Sequence, residues 1–153
     1  LKNKNIFSFV GYPNTDSKKS KITNIIRKYK NDKNFYFYKN IDRDVFLSIF
    51  KISQFIIGNS SAGIYEAAAI PIPAINVGKR QQDRMVGENV VFCGTSIKEI
   101  TVTIEKITSQ IFLSSIKNII NPYGDGESAN RAYKLIKEID LKGLIHKVED
   151  PLC

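Results

Sequence analysis

Phe55-Ile56-Ile57-Gly58-Asn59-Ser60-Ser61-Ala62-Gly63-Ile64-Tyr65-Glu66 is the stretch on which the fold turns. It begins with an apolar run that does not alternate, the pattern of a strand whose parallel sheet is covered by helices on both faces. Small polar residues then make a turn. An Ala-rich helix is expected from about Gly63 to Ile70, ended by Pro71 and Pro73. The next apolar run, Ala74-Ile75-Asn76-Val77, completes a strand–helix–strand unit.

Reading outward, the same alternation repeats. Upstream, Ile6-Phe7-Ser8-Phe9-Val10 is a strand closed by the turn signals Gly11, Pro13 and Asn14. Asp16 or Ser17 can then cap a helix whose apolar face is Ile22, Ile25, Ile26 and Tyr29. Phe35-Tyr36-Phe37-Tyr38 is the next strand, and Asp42 starts a helix with Val45, Phe46, Ile49 and Phe50 inward. Downstream, Asn89 to Cys93 is a further strand, and Ile97, Ile100, Ile104 and Ile107 mark one face of a longer helix. After a turn at Asn121 to Gly126, a last helix carries Ala129, Ala132, Tyr133, Ile136 and Ile139. This order implies an α/β fold, a right-handed, doubly wound parallel sheet of about five strands. Without repeat, linker or low-complexity tract, residues 1–153 read as a single domain.

Composition narrows the function classes. At 42% hydrophobic the chain can build a core, and no apolar run has the length to span a bilayer. Leu1 opens it without a basic and then apolar segment, so no secretory signal is expected, and the missing initiator Met suggests a true start upstream, although a processed chain looks the same. Cys93 lies in an apolar run and Cys153 is terminal, so no disulfide framework is expected and Cys93 reads as a small buried hydrophobe. With His146 as the only histidine, a Cys/His zinc site is excluded. A reduced, cytoplasmic protein without metal or cofactor is the expectation. The net charge of +8 is carried largely by Lys18 to Lys39 and Lys134 to Lys147. Arginine is sparse and no aromatics alternate with the bases, so a solvated basic face outweighs a nucleic-acid site.

The chemistry concentrates where the first quoted strand ends. Open parallel sheets bind ligands beyond the carboxyl ends of their strands. A helix start there offers backbone N–H groups and a positive dipole end to a phosphate. Ser60 and Ser61 add hydroxyl donors, Gly63 allows close approach to the backbone, and Glu66 could accept both hydroxyls of a ribose. For serines followed by small residues alone, a helix N-cap with a solvated Glu66 is the better reading. The segment after the next strand, Asn76-Val77-Gly78-Lys79-Arg80-Gln81-Gln82-Asp83-Arg84, strengthens the ligand reading. Strand ends of this kind share one rim, so Arg80 could face the same anion, although a surface basic loop is the common alternative. Gly87-Glu88-Asn89 and Asn121-Pro122-Tyr123-Gly124-Asp125-Gly126-Glu127 need nothing locally beyond turns and capping.

Taken together and in order, three elements resemble the UDP-N-acetylglucosamine 2-epimerase family. They are Gly58-Asn59-Ser60-Ser61-Ala62-Gly63 with Glu66, then Gly78-Lys79-Arg80-Gln81 with Arg84 and Gly87-Glu88-Asn89-Val90, then Tyr123-Gly124-Asp125-Gly126. The resemblance runs from Pro13-Asn14 to the last helix. It implies a GT-B enzyme of two Rossmann-like halves closing over a nucleotide sugar, of which this chain is the carboxyl-terminal, UDP-binding half. Ser60 and Ser61 would hold the diphosphate, Glu66 the ribose hydroxyls, and Arg80 would line the same pocket. Asn14 matches a nucleotide-pocket asparagine, and Ile41 a position whose backbone reads the uracil edge.

The family's reaction, by the same resemblance, eliminates UDP across C1 and C2 of UDP-N-acetylhexosamine through a glycal-like intermediate. Water addition then releases free N-acetylmannosamine in the hydrolysing branch. The proton-moving carboxylates belong to the amino-terminal half, so no catalytic residue is expected in this chain, and any homo-oligomer would form through the full-length enzyme. The family's nucleotide-pocket histidine has no match, since His146 lies near the other end. Asn59-Ser60-Ser61 resembles the hydrolysing, sialic-acid-pathway branch, whereas Asp83 stands where a glycine is common. A GT-B glycosyltransferase half and a non-catalytic nucleotide-binding module remain the alternatives.

Overall fold

The computed structural model describes residues 6–13, 19–140 and 143. The chain packs as two compact units, Leu1–Ile49 and Phe50–Cys153. In both, parallel strands alternate with helices, the Rossmann-like α/β pattern. The five expected strands are present, in two ladders rather than one sheet. Each ladder joins strands that follow one another in the chain, the pairing that short connections favour.

The first unit contains β1 (Ser8–Gly11), α1 (Lys19–Tyr29) and β2 (Phe35–Tyr38), and α2 (Arg43–Ile52) begins in it. β1 and β2 pair in parallel from Ser8 opposite Phe35 to Gly11 opposite Tyr38. The aromatic rings along them touch, Phe9 with Tyr36 at 5.7 Å and Phe35 with Phe37 at 5.9 Å between centroids. Of the expected apolar face of α1, only Ile26 is buried, while Ile22 and Ile25 are exposed. Two strands about 4.8 Å apart are narrower than a helix about 10 Å across, so a full stripe overhangs them. Likewise Phe50 is the buried residue of α2 and Val45 is exposed. The expected caps Asp16 and Ser17 lie outside the described residues.

The second unit holds β3 (Ile56–Gly58), a 3-10 turn (Ser61–Gly63), α3 (Tyr65–Ala69), β4 (Ala74–Val77), β5 (Val90–Cys93), α4 (Ile97–Ile107), α5 (Gln110–Ser115) and α6 (Ser128–Glu138). Its ladder runs β3-β4-β5, all parallel, with Gly58 opposite Asn76 and Val77 opposite Cys93. Strand alternation sorts these residues between two faces. Ile57, Ile75, Val77, Val91 and Cys93 pack with Ile100, Ile104 and Ile107 of α4 and Phe112 of α5. On the opposite face, Gly63 comes up against Ile56 and Asn76, which seats the 3-10 turn there. Helical elements therefore cover both faces of this sheet.

A capping box starts α4: Ser96 Oγ accepts from the Glu99 N–H at 3.2 Å, and Glu99 Oε2 accepts from the Ser96 N–H at 3.2 Å. Cys93 is partly buried in the adjoining core, and desolvation pushes its thiol pKa up, away from a reactive thiolate. The sequence reading missed α5, whose N-cap is Ser109 accepting from Phe112 N–H at 3.3 Å. The last helix is present as α6, with no buried residue; Tyr133 and Ile136 of its expected face are exposed.

Candidate functional site

The turn after β3 is tighter than a helix start. Ser60 has extended backbone, φ −76° and ψ 149°, and its Oγ accepts from the Ala62 N–H at 3.2 Å. The Gly63 N–H donates to the Ser60 carbonyl at 3.3 Å and the Ile64 N–H to the Ser61 carbonyl at 2.9 Å. Three amides that could have met an anion are thus spent inside the turn. The helix that follows is five residues long, so its dipole is small. What the turn offers outward is hydroxyl chemistry. Ser60 and Ser61 are exposed, and a Ser60 Oγ that accepts one bond keeps its own O–H to donate. Beside them a shallow recess at the end of β3 is lined by Ile56, Ile57, Gly58, Ser60, Gly63 and Ile75.

The loop from β4 to β5 braces this turn at three places. It leaves β4 through Gly78, whose φ of +82° is a left-handed conformation that a side chain would strain. Gln81 then donates through Nε2 to the Asn59 carbonyl at 3.1 Å. Arg84 Nη1 donates to Tyr65 Oη at 2.7 Å, with its guanidinium 5.3 Å from that ring's centroid. Asn89, fully enclosed, donates through Nδ2 to the carbonyls of Ala67 and Ile72, each at 2.7 Å. Gly87 is needed beside it, because a Cβ there would stand 2.6 Å from Asn89 Oδ1. A loop that reads in sequence as a basic ligand arm is also the scaffold of the Asn59–Ile72 segment.

The third element joins the same construction. Asn121 turns the chain by accepting the Tyr123 N–H on its Oδ1 at 3.0 Å. Tyr123 packs on Tyr65 with 4.6 Å between ring centroids, and its hydroxyl donates to the Met85 carbonyl. Gly124 and Gly126 adopt φ of +101° and +88°. Asp125 is gripped by Arg131 at 2.7 Å, which holds its carboxyl down at about 2. A carboxylate so stabilised is a poor proton acceptor near neutral pH.

Ser60, Ser61, Gly63, Glu66 and Arg80 all fall in the second unit. Glu66 is partly exposed in the first turn of α3, and Arg80 is exposed at the loop tip. Gly63 is buried, and a methyl group there would make ordinary contacts at 3.8–3.9 Å, so its smallness serves packing no more than alanine would. Ile41 belongs to the first unit, partly exposed just before α2. Asn14 lies outside the described residues. Among the described residues no three His, Cys, Asp or Glu side chains gather as a metal site, and no helix is long and apolar enough to cross a membrane. Sequence reasoning missed Gln81 and Asn89 as supports. No local signal marks them, because the neighbouring Gln82 is an amide in the same loop and is exposed.

The sequence pattern of the UDP-N-acetylglucosamine 2-epimerase family matches residues 1–137. A UDP-N-acetylglucosamine 2-epimerase of Neisseria meningitidis serogroup B is 37% identical over 71% of this chain and 28% of its own length. The UDP-N,N'-diacetylbacillosamine 2-epimerase (hydrolyzing) of Legionella pneumophila is 32% identical over 87% of this chain and 34% of its own. The GDP/UDP-N,N'-diacetylbacillosamine 2-epimerase (hydrolyzing) of Campylobacter jejuni is 33% identical over 88% and 35%. The chain thus spans about a third of the length of these curated relatives.

Proposed function

The chain belongs to the UDP-N-acetylglucosamine 2-epimerase family, and from that premise we propose that it is the UDP-binding half of a hydrolysing 2-epimerase acting on a UDP-N-acetylhexosamine. The observation that carries the proposal is the braced turn at the end of β3, which presents Ser60 and Ser61 outward beside a recess. In this reading the two hydroxyls donate to the diphosphate, and Arg80 adds a cation from the neighbouring strand end. Glu66 accepts the ribose hydroxyls, and the family resemblance assigns Asn14 and the Ile41 backbone to the nucleoside. The hydrolysing outcome draws support from the relatives whose names carry it and from the Asn59-Ser60-Ser61 form. Supply of amino sugar to a sialic or related acid in the cytoplasm is part of the same proposal.

The division of labour follows from chemistry. Expelling UDP while removing a weakly acidic C2 proton needs a positioned base with a tuned pKa. Asp125 is held as a stable anion by Arg131, Glu66 is given to ribose, and Asp83 and Glu88 are exposed in the loop between β4 and β5, so the acid–base groups are assigned to the part of the enzyme beyond this chain. What these residues do is bind and orient the leaving nucleotide.

Calorimetric titration with UDP tests the proposal. The Ser60→Ala, Ser61→Ala double variant should lose about 1.5–3 kcal/mol for each charge-assisted hydrogen bond removed. Equal affinity of variant and parent would withdraw the diphosphate from this turn.

A further inference from the structure

Gln81 is only 3% exposed although it lies in a loop between two strands. Its Nε2 group donates to the Asn59 carbonyl at 3.1 Å, across 22 residues of sequence. Its Oε1 is buried and has no partner among the described residues. The side chain cannot be turned over to relieve that oxygen, because only the amide nitrogen can donate to a carbonyl. A buried carboxamide satisfied at one end is less stabilising than an apolar side chain of equal size. Asn76 and Asn89 bury an amide oxygen in the same state, so what sets Gln81 apart is not that oxygen but its donor.

That donor matters through what its one bond holds. Asn59 is exposed and is the last residue before Ser60. Ser60 in turn closes the 3-10 turn twice, with its hydroxyl on the Ala62 N–H and its carbonyl on the Gly63 N–H. The direction of the Asn59 carbonyl sets the peptide plane that leads into Ser60, and so sets where both hydroxyls point. We propose that Gln81 is a positioning residue: acting through the Asn59 carbonyl, it aims Ser60 and Ser61 at the diphosphate without touching it. This rests on the reading of the turn as the diphosphate site. It separates two adjacent residues by task, Arg80 facing the ligand and Gln81 facing the turn.

Two variants of the full chain test it. Gln81→Leu keeps the bulk and removes the donor, and Gln81→Glu keeps the shape but places an acceptor against the carbonyl. Each should weaken UDP binding about tenfold, the weight of one hydrogen bond lost to orientation. Affinity for uridine should stay within about twofold of the parent, and Gln81→Leu should melt no lower than the parent. In the ligand-free chain, hydrogen exchange at the Ala62, Gly63 and Ile64 amides should accelerate while α4 amides keep their rates. Parent-like UDP affinity in both variants, or parent-like exchange in the turn, overturns the proposal. So does a joint loss for UDP and uridine with a lower melting point, which would make Gln81 only a structural residue. If the parent chain binds no UDP at all, the diphosphate reading fails, and the exchange comparison alone decides whether Gln81 holds the turn.

Discussion

Asn89 sits inside the fold with 0% of its surface exposed and holds two backbone carbonyls, those of Ala67 and Ile72, on one amide nitrogen. Both carbonyls lose a donor in Asn89→Ala, and water has no access to replace it for Ala67. The expected cost is about 2–4 kcal/mol, from two unsatisfied groups at roughly 1–2 kcal/mol each. Urea unfolding would read it as a lower midpoint with unchanged slope, and a loss below about 0.5 kcal/mol would mean that the loop relaxes to re-pair them. Glu66 makes the complementary case, a residue argued to matter for ligand and not for fold. Glu66→Gln should weaken UDP and shrink the preference for UDP over 2′-deoxy-UDP, with thermal stability unaltered. An unchanged preference would return Glu66 to an ordinary helix residue. Of the two, only Glu66 was legible in the sequence for the role given to it here. Glu66 stands one turn into a recognisable strand–turn–helix, whereas Asn89 looks like any loop asparagine until its surroundings are known.

Elements were legible where period and punctuation agreed. The unalternating run at Ile56-Ile57 and the prolines at 71 and 73 bracket β3 and α3 correctly, because burial on both faces and loss of the N–H are local facts. The start of α3 was not legible, since Ser60 capping Ala62 tightens the chain into a 3-10 turn first. Ile97 illustrates a second limit: it continues the spacing of Ile100, Ile104 and Ile107 yet is 85% exposed. Period identifies a stripe but not how far its partner surface extends. α4 itself yields a prediction, because Ser96→Ala should cost about 1 kcal/mol through loss of the N-cap. Its capping box also titrates. Hydrogen bonds from the Ser96 hydroxyl and amide hold the Glu99 carboxyl below its ordinary 4.5. A depressed carboxyl stabilises the fold above its unfolded pKa and ceases to as pH falls through the folded one. The thermal midpoint should therefore fall on acidification below 4.5. Asp125 has the same sign, being held at about 2 by Arg131, so the slope lost in Ser96→Ala isolates Glu99. Identical acid slopes in parent and variant would remove Glu99 from the account.

For the molecule as a whole, the expectation is binding without turnover. A general acid or base contributes about 10²–10⁴-fold, and exclusion of water by closure adds to it. Neither is assigned to this chain, which spans about a third of its curated relatives. Incubated with UDP-N-acetylglucosamine in heavy water, it should neither release UDP nor exchange the C2 proton for deuterium. Exchange by the purified chain would place a base within these residues and reverse the division of labour. The aromatic clasp gives such experiments a detector of their own. The chain has no tryptophan, so tyrosine emission is not masked by energy transfer to an indole. Tyr65 and Tyr123 stand 4.6 Å apart, one bonded to Arg84 and the other to the Met85 carbonyl. Rings fixed in a chiral setting give near-ultraviolet circular dichroism that vanishes when packing loosens. The chain holds seven tyrosines, so replacing either of these two by Phe and taking the difference between parent and variant follows a ligand titration at this one junction, with no label attached.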